Sequence, residues 1–207
     1  MQDLPLLIVA LTVSTYWTGV GGMIVRVRRH RHADPGLVPQ QPRERLMWLL
    51  FVPLVLAWIV LPWVALHAAS PWLAVPDDAR AEPAYAALRW VGALLAIAAL
   101  LATTRCWKRM GDDWRMDVST DHTALITDGP FSRIRHPIYA FSILLMLATA
   151  VVLPTPPLLA MAVVHLLLMH AKARNEEAYL ASRHGEAYVR YAARTGRFVP
   201  RLTAREP

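Results

Sequence analysis

Apolar residues in this chain fall in long blocks separated by short charged stretches. Residues 4–25, 46–69 and 86–104 each approach or exceed the roughly 20 residues that cross a bilayer as a helix. Two further runs are shorter: Ile138 to Leu153 has 16 residues and Leu158 to Ala171 has 14. Between them, Pro154, Thr155, Pro156 and Pro157 form a turn, so these runs predict a tight helical hairpin. His170, Arg174, Glu177 and Leu180 share a face at helical spacing, so the fifth helix is expected to continue out of the membrane. The first run has no basic segment before it and is too long for the core of a signal peptide, so it is expected to be a retained span.

The charges between the blocks set an orientation. Residues 26–45 hold six arginines against Asp34 and Glu44, and Arg105, Lys108 and Arg109 follow the third run. The tail from Lys172 has eight basic and four acidic residues. The loop of residues 70–85 is acidic, with Asp77, Asp78 and Glu82 against Arg80. By the positive-inside rule this predicts five spans, the N-terminus outside and the C-terminus in the cytoplasm. The expected organisation is residues 1–109 as spans one to three, and residues 110–207 as a catalytic region with a hairpin and a cytosolic helical tail. Arg89 lies near the outer end of the third span, where it is able to snorkel. Pro53 and Pro62 should kink the second span. Trp48, Trp58, Trp63 and Trp72 include interface anchors. Thr18, Gly19, Gly21 and Gly22 offer a small-residue packing face.

Composition agrees with an all-α integral membrane protein: 56% of the 207 residues are hydrophobic and 18% are charged, against about 25% charged in soluble domains. The net charge of +7 sits beside the spans, which argues for topology and anionic lipid rather than nucleic acid. The single cysteine, Cys106, allows no internal disulfide, and the histidines lack ligand spacing, so no metal is expected. No phosphate loop or dinucleotide fingerprint can be placed on a strand.

Two polar clusters carry the chemistry. The first is Gly129, Pro130, Phe131, Ser132, Arg133, Ile134, Arg135, His136, Pro137, Ile138 and Tyr139, at the mouth of the hairpin. The second is Arg174, Asn175, Glu176, Glu177 and Tyr179, at its exit. The hairpin is expected to bring them together at one cytoplasmic site. Arginine forks hold carboxylates or phosphates. Glutamates hold an ammonium or ribose hydroxyls, and aromatic faces attract sulfonium or adenine. S-adenosyl-L-methionine carries all of these groups. His165, within the fifth run, either lines a cavity or bonds to a neighbouring helix.

The joint pattern is Gly129-Pro130-Phe131, then Arg135-His136-Pro137-x-Tyr139, Glu176-Glu177-x-x-Leu180, Tyr188-x-x-Tyr191 and Arg197-Phe198-x-Pro200. It resembles the isoprenylcysteine carboxyl methyltransferase family over residues 110–201. The related phospholipid N-methyltransferases look similar in the same region. The resemblance implies a membrane enzyme that uses S-adenosyl-L-methionine on a lipophilic acceptor with a carboxylate, thiol or amine head group. It places Arg135, His136, Arg174 and Glu177 in catalytic roles. It places His136, Tyr139, Glu176, Glu177, Tyr188, Tyr191, Arg197 and Phe198 around the cofactor. The alanine- and arginine-rich composition points to a bacterial inner membrane. Phe141 stands where the family has glycine, and the glycine-rich motif of the phospholipid enzymes is not found before Arg135, which ranks them second. The alternative is a membrane oxidoreductase similar to the sterol reductases and using NADPH; Pro137 and Ile138 depart from that pattern.

Overall fold

The computed structural model describes residues 3–31, 42–68, 70–116 and 125–201. The fold is an all-α membrane fold, and its only extended pairing among the described residues is a single bridge, Ile134 with Gly196. The helices are α1 (Leu4–Arg31), α2 (Pro42–Ala65), α3 (Asp77–Ala81), α4 (Pro83–Met110), α5 (Pro137–Val152), α6 (Pro156–His184) and α7 (Glu186–Arg194). Prolines open α4, α5 and α6, where the missing N–H costs nothing. Gly111 and Gly185, both at positive φ, end α4 and α6.

Four helices, α1, α2, α4 and α6, are long and apolar enough to cross a membrane. The expected fifth span is α6 itself, which continues from the apolar run to His184 without a break, as its face spacing implied. The short helix is α5, with 16 residues. The second helix ends at Ala65, runs uninterrupted through Pro53 and Pro62, and begins four residues earlier than its apolar run. Residues 32–41, with Asp34, and the stretch with Asp117, Asp121 and His122 lie outside the described residues.

Because α5 is short, its C-terminal carbonyls end inside the bundle, where water cannot satisfy them. The protein supplies donors from α4. Arg89 Nε donates to the Val152 carbonyl at 3.1 Å, and the Tyr85 hydroxyl lies 3.2 Å from the Val151 carbonyl. Arg89 therefore does not snorkel. It is 4% exposed, and its Nη2 donates to Asp3 Oδ2 at 2.5 Å. Asp3 also accepts from Arg80 Nη1 at 3.1 Å and from the Leu6 amide at 3.2 Å, capping α1. One polar knot thus ties α1, α3, α4 and α5 at this end.

The helices approach closely where the sequence is small. A Cβ on Gly92 of α4 would lie 2.9 Å from Val152 Cγ2, and one on Gly19 of α1 would lie 2.5 Å from the Trp107 ring. Gly21 and Gly22 meet nothing within 4 Å, so Gly19 is the packing glycine of that face. Trp58 is not an interface anchor. It is fully buried, with Nε1 donating to Thr149 Oγ1 at 3.2 Å. Trp72 is exposed. His165 takes the second of its two expected places: buried, with Nε2 3.1 Å from Ser142 Oγ on α5.

Candidate functional site

The opposite end of the bundle holds both clusters. Gly129, at φ +57, turns the chain into a short 3-10 helix (Gly129–Ser132). The backbone then runs extended beside the tail. The Arg135 amide donates to the Gly196 carbonyl at 2.8 Å, and the His136 amide to the Arg197 carbonyl at 3.1 Å. Pro137 starts α5 immediately after. This sequence holds Arg135, His136 and Tyr139 at the helix mouth, facing the polar half of α6.

Glu177 is the hub. Arg135 Nε donates to its Oε1 at 2.9 Å, Arg197 Nε to the same oxygen at 3.0 Å, and Arg197 Nη2 to Oε2 at 2.5 Å. Charge-assisted forks of this kind are among the stronger polar contacts. Arg135 also donates to the carbonyls of Ala192 and Thr195, and Tyr191 donates to the Phe131 carbonyl at 2.7 Å. Glu177 therefore welds α6, the segment before α5 and the tail into one body. Both of its oxygens are committed to arginines.

His136 is 5% exposed. Its Nδ1 is 3.3 Å from Glu176 Oε2 and its Nε2 is 3.4 Å from Glu177 Oε1. The second contact is close but not aligned for a hydrogen bond, which leaves Nε2 buried without a partner. Burial disfavours charge on this ring. The two carboxylates outweigh it and hold the His136 pKa above the ordinary histidine value. His136 stacks parallel on Tyr139, ring centres 5.3 Å apart. Glu176 lies against the Tyr139 hydroxyl.

A cavity of about 110 Å³ opens beside this cluster. Its polar side has Arg135, His136, Tyr139 and Glu176, with Arg115 and Lys172 on the adjoining wall. Its remaining walls are largely aromatic: Tyr16 and Trp17 of α1, Trp48 and Phe51 of α2, Trp107 of α4, and Trp114. Glu44, at the first turn of α2, also faces it.

Of the residues expected at the site, Arg135, His136, Tyr139 and Glu176 line the cavity, and Glu177 stands directly behind them. Tyr188, Tyr191, Arg197 and Phe198 gather around Glu177 and His136 without lining it. Burial pushes both phenols up, Tyr191 to about 12, so they remain neutral. Phe198 packs edge-on to His136 and His170, at 6.3 and 5.6 Å. Arg174 is exposed, and it is Arg135 and Arg197, not Arg174, that hold Glu177. Phe141 does not line the cavity; it packs against the hydrophobic core. Sequence reasoning missed the contribution of α1 and α2. One signal was present: Glu44, Met47, Trp48 and Phe51 recur at i, i+3, i+4 and i+7, putting a carboxylate at the head of one helix face.

The phospholipid methyltransferase family matches residues 87–187, just under half of the chain. The matched stretch carries Arg135, His136, Tyr139, Glu176 and Glu177; α1, α2 and the Tyr188–Arg201 tail lie outside it. The motifs had ranked this family second, and the match is to it. No curated protein matches the chain.

Proposed function

We propose that the protein is a membrane-embedded methyltransferase that uses S-adenosyl-L-methionine and acts on a lipophilic acceptor, in the manner of the isoprenylcysteine and phospholipid enzymes its motifs resemble. The observation that carries this reading is the cavity. A cluster of two cations, a carboxylate and a phenol, all from the family-matched stretch, stands at the end of a space with aromatic walls. The donor set suits the cofactor: guanidinium and imidazolium for its carboxylate, Glu176 for its ammonium or ribose, and aromatic faces for adenine and sulfonium.

When bound, the cofactor supplies the methyl group at its sulfonium. The protein's contribution is alignment and exclusion of water. Arg135 and Arg197 fix Glu177, and Glu177 with Glu176 favours the protonated form of His136 and holds its ring in place. A histidine held above its ordinary pKa donates a hydrogen bond more readily than a free imidazole. The apolar walls limit the water that reaches the reacting groups.

The site end also carries Arg26, Arg28, Arg29 and Arg109, which orients it to the cytoplasm, in a bacterial inner membrane by composition. Calorimetry on detergent-purified protein tests the reading. S-adenosyl-L-methionine should bind saturably and NADPH should not. Binding of NADPH alone would place the protein with the reductases instead.

A further inference from the structure

Behind the cavity, α5 and α6 share a polar contact that the proposed chemistry does not use. Ser142 of α5 lines the cavity. So does Tyr16 of α1, whose hydroxyl lies against the Ser142 side chain. His165 of α6 stands behind Ser142, with Nε2 3.1 Å from its Oγ. The Trp58 ring packs against the imidazole, centres 5.1 Å apart. Tyr16, Ser142 and His165 are 4%, 3% and 1% exposed.

What each ring nitrogen meets fixes the direction of the bond. Nδ1 is buried and has no partner among the described residues. A hydrogen there would be an orphaned N–H, which folded proteins rarely tolerate. The ring also faces the Ser142 carbonyl, which can only accept. The hydrogen therefore sits on Nε2, and His165 donates to Ser142 Oγ. Ser142 keeps its own hydrogen to give. Helix hydroxyls commonly give theirs to the carbonyl a turn back, as Thr12, Thr18, Thr103 and Thr149 do in this protein. Ser142 makes no such bond; its hydroxyl is held by His165 instead, beside Tyr16 and the cavity.

The same walls carry other neutral donors. The indole N–H groups of Trp17, Trp48 and Trp107 are buried and lack an acceptor among the described residues. A hydrocarbon tail would satisfy none of these groups. The charged residues of the walls, Glu44, Arg115, Arg135, His136, Lys172 and Glu176, belong to the polar end. Ser142 lies deeper, on α5 five residues past Pro137, a rise of about 7.5 Å. A charged group at that depth would be buried away from its counter-ions, which is costly, whereas a neutral oxygen would be hydrogen-bonded.

We propose that Ser142 and Tyr16 form a neutral hydrogen-bonding subsite for the body of the acceptor, with His165 as the residue that positions Ser142. The acceptor then carries an uncharged oxygen (an ether, hydroxyl or carbonyl) set back from its reacting end. This rests on the methyltransferase reading for calling the occupant an acceptor, and it leaves the head group open.

The test measures binding, so it needs no turnover. The full chain in nonionic micelles is titrated with tetradecanoate and with analogues in which an ether oxygen replaces successive methylenes, followed by tryptophan fluorescence. A tetradecylamine series with the same replacements repeats it with the opposite head charge. An ether oxygen makes a chain less lipophilic, so it weakens binding unless the site offers it a donor. One oxygen position should bind better than the all-carbon chain. Ser142→Ala should reduce that preference about fivefold, as for loss of one hydrogen bond; comparing ratios cancels partition into the micelle. His165→Leu should lose the preference as well. His165→Gln, whose amide can donate to Ser142, should keep it, a rescue that packing alone would not produce. No preference for oxygen in either series, no saturable binding of any probe, or a preference kept in Ser142→Ala overturns the proposal. A preference kept in His165→Leu overturns the role of His165. Failure of the methyltransferase reading would show separately, as absent S-adenosyl-L-methionine binding in calorimetry with the oxygen preference intact.

Discussion

Removing Asp3 should destabilise the bundle more than removing Arg89, although the two form one ion pair. Their side chains are 6% and 5% exposed. Breaking a buried pair from one side costs roughly 3–5 kcal/mol, because the other charge is left uncompensated. The knot is asymmetric, however. After Arg89→Leu, Asp3 still has Arg80 at 3.1 Å, with Arg80 a third exposed, and the Tyr85 hydroxyl still reaches the Val151 and Val152 carbonyls. After Asp3→Asn, Arg89 keeps its bond to the Val152 carbonyl but loses its buried carboxylate, and α1 loses the charge at its cap. Asp3→Asn should therefore fall at the upper end of the range and Arg89→Leu at the lower. At about 2–4 °C per kcal/mol for a chain of this size, the midpoint of thermal unfolding in detergent should drop by roughly 6–20 °C. The double variant should lose less than the sum of the singles, since the second change removes the charge the first left stranded. Cofactor affinity measured well below the transition should hold, because the site lies at the other end of the bundle. Equal small shifts in both single variants, or strictly additive losses in the double, would refute the assignment of this knot as a coupled buried pair.

Three further outcomes are expected. Glu177→Gln should weaken S-adenosyl-L-methionine binding by roughly 1.5–3 kcal/mol in calorimetry, by loosening Arg135 and Arg197. Glu186→Gln should not, since Glu186 is exposed and, among the described residues, pairs with Arg190 on its own helix; equal affinities would sink the hub role of Glu177. Gly196→Ala should undock the tail, because its Cβ would fall 1.7 Å from the Val199 carbonyl oxygen; limited proteolysis should then cut near residue 195, whereas Gly185→Ala, strained only by its φ, should resist. Because the His136 pKa is raised in the fold, the stability its charge contributes is full below the ordinary histidine pKa of about 6.5 and is lost as pH rises through the higher folded value. His136→Gln should abolish that alkaline decline in the unfolding midpoint, and a variant that declines like wild type would show that another group is responsible.

The spans, the hairpin and the meeting of the two clusters were legible because apolar runs and prolines mark helices, and a short hairpin leaves its ends few places to go. The direction each membrane helix faces was not. In α2, Trp48 and Phe51 look into the cavity while Leu49 and Leu50 look at lipid, yet all four are apolar, so hydrophobicity does not separate inside from outside. Trp58 and Trp72 differ in burial for the same reason. Arg89 was misplaced because snorkelling is the rule for a lone arginine near a span end. Its partner, Asp3, lies 86 residues away, and the need it meets belongs to a third helix. The aromatic wall from α1 and α2 was hidden because each ring alone is an ordinary core residue. Glu177 was read as a ligand group since its spacing is visible, whereas the arginines that occupy it arrive from 42 residues before and 20 after.

The tail pairing also divides the chain into two parts. Residues 192–201 supply the carbonyls that receive Arg135, the backbone partners of Arg135 and His136, and the second arginine on Glu177. All of them follow α1, α2, α4, α5 and α6 in the chain. Without them, the Arg135–Tyr139 segment and the polar end of α6 lack what holds them in register. The membrane helices are thus drawn from the first 184 residues and the site is completed by those that follow, so a chain that ended at His184 would keep every long apolar helix and lack the partners that hold its polar cluster.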